Sequence, residues 1–138
     1  MKYSLDRLLG NLGSEKKQTN YENKQMNDRY LTTLTCLGLA RKDFMEIGNL
    51  LQSRDSSAYY WLGCRIQTLQ IWRGGFKYFL DDSKKYEKAI DKDTFLKGRL
   101  LQLDVEINEF EQQVKTVFRK SEKARLFLSE EERRLYIE

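Results

Sequence analysis

The chain has 138 residues, of which 40% are hydrophobic and 33% charged, and it contains no proline or histidine. This length suits one domain, and the apolar content is too high for a disordered chain. The formal net charge of +4 is modest compared with that of dedicated nucleic-acid-binding proteins. The longest apolar run, Ala58 to Cys64, is far below the ~18 residues of a membrane-spanning helix. We therefore expect a soluble, cytoplasmic protein that makes no membrane contact.

The first predicted element is a short amphipathic helix near the N-terminus. Ser4 suits its N-cap, and Gly10 or Gly13 suits its C-terminal end. The polar stretch from Ser14 to Gln25 follows and is typical of a linker or of a fraying helix start. Residues 1–21 are accordingly assigned to a short helix with a polar tether, and residues 22–138 to a helical domain. The short helix carries four leucines on one face, which we expect to bind a partner, with packing against the protein's own bundle as the alternative: Leu5, Leu8, Leu9 and Leu12.

Two longer helices are predicted next, separated by a turn at Ser53 to Ser57. The first runs from about Glu22 to Gln52, and its apolar stripe comprises Tyr30, Leu34, Leu37, Ala40, Phe44, Ile47 and Leu51. The second carries a stripe of Ala58, Leu62, Leu69, Trp72, Phe76 and Phe79, with Trp61, Cys64, Ile71 and Tyr78 as a second stripe beside it. Two stripes predict burial on two sides. The pair Gly74 and Gly75 predicts a kink, a helix end or a close backbone approach.

A heptad pattern then predicts one long helix from Thr94 to Leu128. Its apolar positions are Leu96, Leu100, Leu103, Ile107, Phe110, Val114, Val117, Ser121, Ala124 and Leu128. A parallel dimer of this helix would place like charges together, which favours packing within the chain. Ser129 and Glu132 form a capping-box pattern that starts a helix from Glu130 to Ile137. The expected fold is an all-α, antiparallel bundle of three long helices with short N- and C-terminal helices.

The sequence offers little support for catalysis or metal binding. Cys36 and Cys64 fall too far apart along the predicted hairpin to form a disulfide, so we expect two reduced, buried thiols. Four carboxylates could bind a cation in principle, but their connector is rich in lysine and solvated: Asp81, Asp82, Asp91 and Asp93. We expect no enzyme activity, no cofactor and no metal.

Arg65 and Arg73 interrupt the most apolar helix on nearly the same side. A buried arginine needs a carboxylate or carbonyl partner. We expect an internal pair with an acid such as Asp43 or Glu46 on the preceding helix, and an external acidic partner is the alternative.

Two functional hypotheses follow. The first is a non-enzymatic assembly or adaptor protein, such as a viral or mobile-element component or an inhibitor, that binds a larger complex or a second copy of itself. The alternative is a nucleic-acid-associated protein that contacts phosphates through a basic face of the heptad helix. That face comprises Lys115, Arg119, Lys120, Lys123 and Arg125.

Overall fold

The computed structural model describes the backbone of residues 2–136, and the side chains of residues 17–135 except those at positions 19, 77, 80 and 82. Every regular element in this part of the chain is helical, so the predicted all-α class is confirmed. The helices are α1 (Lys2–Gln52), α2 (Ser57–Lys85), α3 (Glu87–Ile90), α4 (Thr94–Lys120), α5 (Glu122–Arg125) and α6 (Glu130–Tyr136).

Helix α1 is continuous through the region predicted to be a tether. The prediction of a linker or a helix start at Ser14 to Gln25 is therefore wrong. Lysine, glutamine and glutamate are abundant there and favour helix, and no proline interrupts it. Gly10 and Gly13 do not end the helix, and none of the described glycines has a positive φ. The division between residues 1–21 and 22–138 stays a prediction, although no break in the helix marks it.

The turn between α1 and α2 forms where it was predicted. The Ser53 hydroxyl accepts a hydrogen bond from the Asp55 amide at 3.2 Å, and the Asp55 carboxylate accepts one from the Ser57 amide at 3.0 Å. The bonds from Ser57 hold the pKa of Asp55 below its ordinary value. Short polar side chains thus satisfy the free amides at the start of α2.

Aromatic rings from the three long helices meet at the centre of the core. Phe110 of α4 makes edge contacts with Phe44 of α1 at 5.6 Å and with Phe76 of α2 at 6.2 Å between ring centroids. Glu46, near the C-terminal end of α1, pairs with Arg65 in the first half of α2, whereas Thr32, earlier in α1, lines a groove together with Tyr78, later in α2. The contacts therefore follow opposite orders along the two helices. The core therefore lies where α1, α2 and α4 converge.

The inner stripes of α1 and α2 are buried, but not all the predicted positions are. Leu37, Ala40 and Ile47 are inaccessible, whereas Leu34 is exposed and was wrongly assigned to the core. The first stripe of α2 is buried apart from the partly exposed Trp72. The second stripe is not covered by neighbours, because Trp61, Ile71 and Tyr78 are exposed; that prediction is wrong.

The heptad stripe of α4 is buried as predicted from Leu96 to Val114. Val117 is only partly buried and Phe118 is buried instead, and the helix is shorter than predicted. It ends at Lys120 because Ser121 adopts extended angles, φ −109° and ψ 106°. The Ser121 hydroxyl then accepts a hydrogen bond from the Ala124 amide at 3.1 Å and caps α5. Ala124 and Leu128 are still buried after this break, so the chain changes direction without losing the apolar pattern.

The predicted capping box at the last helix is confirmed. The Ser129 hydroxyl accepts from the Glu132 amide, and the Glu132 carboxylate accepts from the Ser129 amide, both at 3.1 Å. Helix α6 is described to Tyr136, and Ile137 lies outside the described residues.

Among the glycines from Gly38 to Gly98, the one with a close neighbour is Gly63, which the sequence did not single out. An added Cβ there would lie 2.7 Å from Cε1 of Phe127. At Gly74 and Gly75 an added Cβ would meet nothing within 4 Å, and α2 continues through both. The pair is therefore neither a helix end nor a close approach between helices of this chain.

Candidate interaction surface

Helix α2 is almost free of charge over its first five turns. Between Ser57 and Phe76 its only charged residues are Arg65 and Arg73. Arg65 is held toward α1, with Nε 2.6 Å from Oε2 of Glu46 and a guanidinium nitrogen 3.4 Å from Oδ1 of Asp43. The predicted internal pairing of Arg65 is confirmed.

Arg73 is buried and turned toward α4 instead of α1. Its Nε donates to Oε1 of Glu111 at 2.8 Å, and another guanidinium nitrogen donates to Oε1 of Gln70 at 2.7 Å. Arg73 therefore pairs with an acid inside the chain as predicted, but the acid is Glu111 of α4 and does not lie on the preceding helix. The residue of this helix turn that contacts α1 is Trp72, whose Nε1 donates a hydrogen bond to Oδ2 of Asp43 at 3.1 Å.

Gln70 extends this network to α6 by donating to Oε2 of Glu132. Burial, the largest single influence, raises the pKa of Glu132, but hydrogen bonds from Gln70 and Ser129 and the charge of Arg73 hold it below its ordinary value. The two charged residues between Ser57 and Phe76, Arg65 and Arg73, are thus both paired with carboxylates of neighbouring helices.

The solvent-facing side of α2 carries a regular uncharged stripe, which we call the outer stripe. Its six residues alternate spacings of four and three, so they lie along one face of the helix. They are Tyr60, Cys64, Gln67, Ile71, Gly74 and Tyr78.

The large apolar members of this surface are strongly exposed. Tyr60 is 68%, Ile71 68% and Tyr78 77% accessible, and Trp61 beside them is 51% accessible. Taking ~150–250 Å² for a whole aromatic side chain, these four residues expose about 500 Å². The largest apolar patch on an ordinary monomer covers ~300–600 Å² and is often functional. The outer stripe with Trp61 is therefore a candidate interaction surface.

The predicted partner-binding leucines fall outside the described side chains. The backbone at Leu5, Leu8, Leu9 and Leu12 is part of α1.

The predicted basic face is divided between two helices. Lys115, Arg119 and Lys120 belong to α4, whereas Lys123 and Arg125 belong to α5 beyond the extended Ser121. A guanidinium nitrogen of Arg125 lies 3.9 Å from Oε1 of Glu122. The single long helix expected to carry these five residues is therefore interrupted, because α4 ends at Lys120.

Two of the four acidic residues considered for cation binding have structural partners. Oδ1 of Asp93 accepts from the Leu96 amide at 3.0 Å and caps α4, and Asp91 lies 3.0 Å from Nζ of Lys97. Asp81 is exposed, and the side chain of Asp82 is outside the described set. Among the described residues, no group of three or more histidine, cysteine, aspartate or glutamate residues could hold a metal ion.

Cys36 and Cys64 are free thiols, as predicted. Both are only partly buried, so the expectation that they are buried in the core is wrong.

No protein-family model, curated protein or solved structure matches this chain. Within the described part of the chain, no helix combines the length and the apolar character needed to cross a bilayer.

Proposed function

We propose that this protein is a non-enzymatic, cytoplasmic assembly or adaptor protein that binds a larger protein complex. Its contacts are the N-terminal leucine helix and the apolar helix faces, and a viral or mobile-element component or an inhibitor fits this role. The observation that carries the proposal is the outer stripe of α2, an exposed apolar surface without charge.

The pattern distinguishes this surface from ordinary exposed side chains. Single exposed apolar residues are common on folded proteins and need no explanation. Here Tyr60, Ile71 and Tyr78 share one helix face, and no charged residue stands between them on that face. Removing apolar surface from water lowers the free energy, so covering this face with a partner protein is favourable.

We further propose that α1, α2 and α4 form the predicted antiparallel bundle of three long helices, which presents this face. The support is the direction of the pairwise contacts. Phe79 of α2 lies beside Leu100 of α4 and Arg73 beside Glu111, so these two helices run in opposite directions. Tyr30 meets Arg99 while Phe44 meets Phe110, so α1 and α4 run in the same direction.

Co-purification from the producing cells with matched variants tests the proposal. Ile71→Lys adds a charge to the outer stripe, and Leu101→Lys adds the same charge at an exposed position of α4. Ile71→Lys should abolish recovery of the partner, whereas Leu101→Lys should retain it, and both should melt like the wild type. A monodisperse monomer that retains no partner, or full recovery with Ile71→Lys, would contradict the proposal.

Deleting residues 1–13 tests the leucine helix separately. If the leucines bind a partner, the truncated protein should melt almost unchanged but lose that partner. A loss of several kcal/mol would instead mean that the four leucines are buried against this protein's own helices.

Nucleic-acid binding is a second proposal for the basic residues. Lys115, Arg119, Lys120 and Lys123 take part in none of the ion pairs among the described residues. Their charges are thus available to phosphates, whose neutralisation gives a steep dependence on salt. Charge reversal at Arg119 and Lys123 should reduce that slope, and absence of any mobility shift at low salt would remove the proposal.

A further inference from the structure

We propose that the outer stripe of α2 binds a second copy of itself, with the two α2 helices antiparallel about a two-fold axis near Leu69. This inference rests on the proposed function and deepens it by naming the partner of that surface.

The order of side-chain sizes along the outer stripe is the same in both directions. From Tyr60 to Tyr78 it reads large, small, medium, medium, small, large, and the spacings of four, three, four, three and four are also symmetric. An antiparallel pair centred near Leu69 therefore forms matched layers, with Tyr60 opposite Tyr78 of the partner subunit and Cys64 opposite Gly74 of the partner subunit. A two-fold interface requires this self-complementarity.

Small side chains in the inner layers allow a close approach of the two helices. A Cβ added at Gly74 would meet nothing within 4 Å, so the backbone there is open to solvent. With Cys64 opposite, the axes can come near enough for Ile71 to contact Gln67 of the partner subunit. The tyrosines then close the two ends of the interface, with their hydroxyls at its rim.

Charges at the ends of α2 select the antiparallel direction. Asp81 and Lys85 are exposed and continue the same face toward the C-terminal end. In the antiparallel pair, Asp81 lies near Ser57 of the partner subunit, at the positive N-terminal end of that helix, and Lys85 lies near Asp55 of the partner subunit. A parallel pair would place Asp81 against Asp81 and Lys85 against Lys85, which is unfavourable.

The available area suits a reversible dimer. The stripe is ~27 Å long at 1.5 Å per residue. Two copies contribute about 1,000 Å² from their four large apolar residues, close to the ~1,200 Å² at which specific interfaces begin, and the flanking residues supply the remainder. We therefore expect dimers that dissociate on dilution.

Sedimentation velocity over a wide concentration range tests the pairing. Gly74→Leu places a bulky side chain where the helices approach, and Gly38→Leu places the same side chain on α1, where an added Cβ also meets nothing within 4 Å. Both substitutions should leave each monomer folded. Gly74→Leu and Ile71→Lys should weaken dimerisation at least tenfold, whereas Gly38→Leu should leave it unchanged.

Cysteine cross-linking tests the direction, in a chain that also carries Cys36→Ala. Under an added oxidant, Gly74→Cys should cross-link to Cys64 of the partner subunit, and the cross-link should disappear when Cys64→Ala is added. Cys64 alone should give no cross-link, because the two copies of Cys64 are ~15 Å apart in the antiparallel pair. Efficient cross-linking of Cys64 to Cys64 would overturn the antiparallel arrangement.

A monomer at every concentration, or a dimer that Gly74→Leu and Ile71→Lys leave intact, would overturn the pairing of copies. A monomer that still binds a different protein, and loses it with Ile71→Lys, would overturn only this inference and leave the proposed function standing.

Discussion

Removing Glu111 should destabilise the protein more than removing its partner Arg73. The Arg73 side chain is 2% exposed, and that of Glu111 is 24% exposed. Glu111→Leu leaves a guanidinium buried without its counter-charge, which typically costs ~3–5 kcal/mol. Because Gln70 still accepts one hydrogen bond from Arg73, we expect about 3 kcal/mol, at the lower end of that range.

Arg73→Met should cost less, about 1–2 kcal/mol, because a carboxylate at the edge of the core can recover water when its partner is lost. The double variant Arg73→Met with Glu111→Leu replaces the pair by apolar side chains. It should recover at least half of the loss caused by Glu111→Leu alone, since no uncompensated charge is then left inside.

Urea unfolding, followed by circular dichroism at one low protein concentration, measures these free energies without a contribution from association. Glu46→Ala is the control, because the Arg65 pair is partly exposed and should contribute less than about 1 kcal/mol. If Arg73→Met proves as costly as Glu111→Leu, or the double variant is the least stable, the argument from burial is refuted.

Gly63→Ala should destabilise the protein by about 1–3 kcal/mol, because the new methyl group meets the Phe127 ring. Gly75→Ala, on the same helix without such a neighbour, should instead be neutral or stabilising by up to ~1 kcal/mol, and equal effects in urea unfolding would contradict this. The depressed pKa of Glu132 predicts stability that is present above its ordinary value of 4.5 and is lost as the pH falls through the folded-state pKa. Glu132→Gln should flatten this part of the acid-unfolding profile, and an unchanged profile would mean that the carboxylate is not coupled to folding.

The sequence identified the buried stripes because apolar spacing reports directly on which side of a helix meets the core. It failed at Ser121, where a small polar residue at a heptad position can either continue a helix or cap the next one. The choice depends on the packing of Ala124 and Leu128, which a linear pattern does not contain.

The outer stripe was visible in the sequence but was assigned to the wrong environment. Periodicity shows that Ile71 and Tyr78 share a face, yet it does not show whether the same chain covers that face. The useful signal was the absence of charge around them, which distinguishes the outer side of α2 from the charged outer sides of α1 and α4. Gly63 gave no signal, because its neighbour Phe127 is remote in sequence.

The continuity of α1 fixes a rotational phase between its two ends. Position 12 and Met26, the first buried residue described, are ~21 Å and just under four helical turns apart. Inserting one residue between them would rotate the N-terminal end by ~100°, whereas inserting seven would nearly restore its orientation and move it ~10 Å outward. A partner that binds both ends of α1 should therefore bind the variant with one inserted residue more weakly than the variant with seven. A flexible connection between the two ends would give the reverse order.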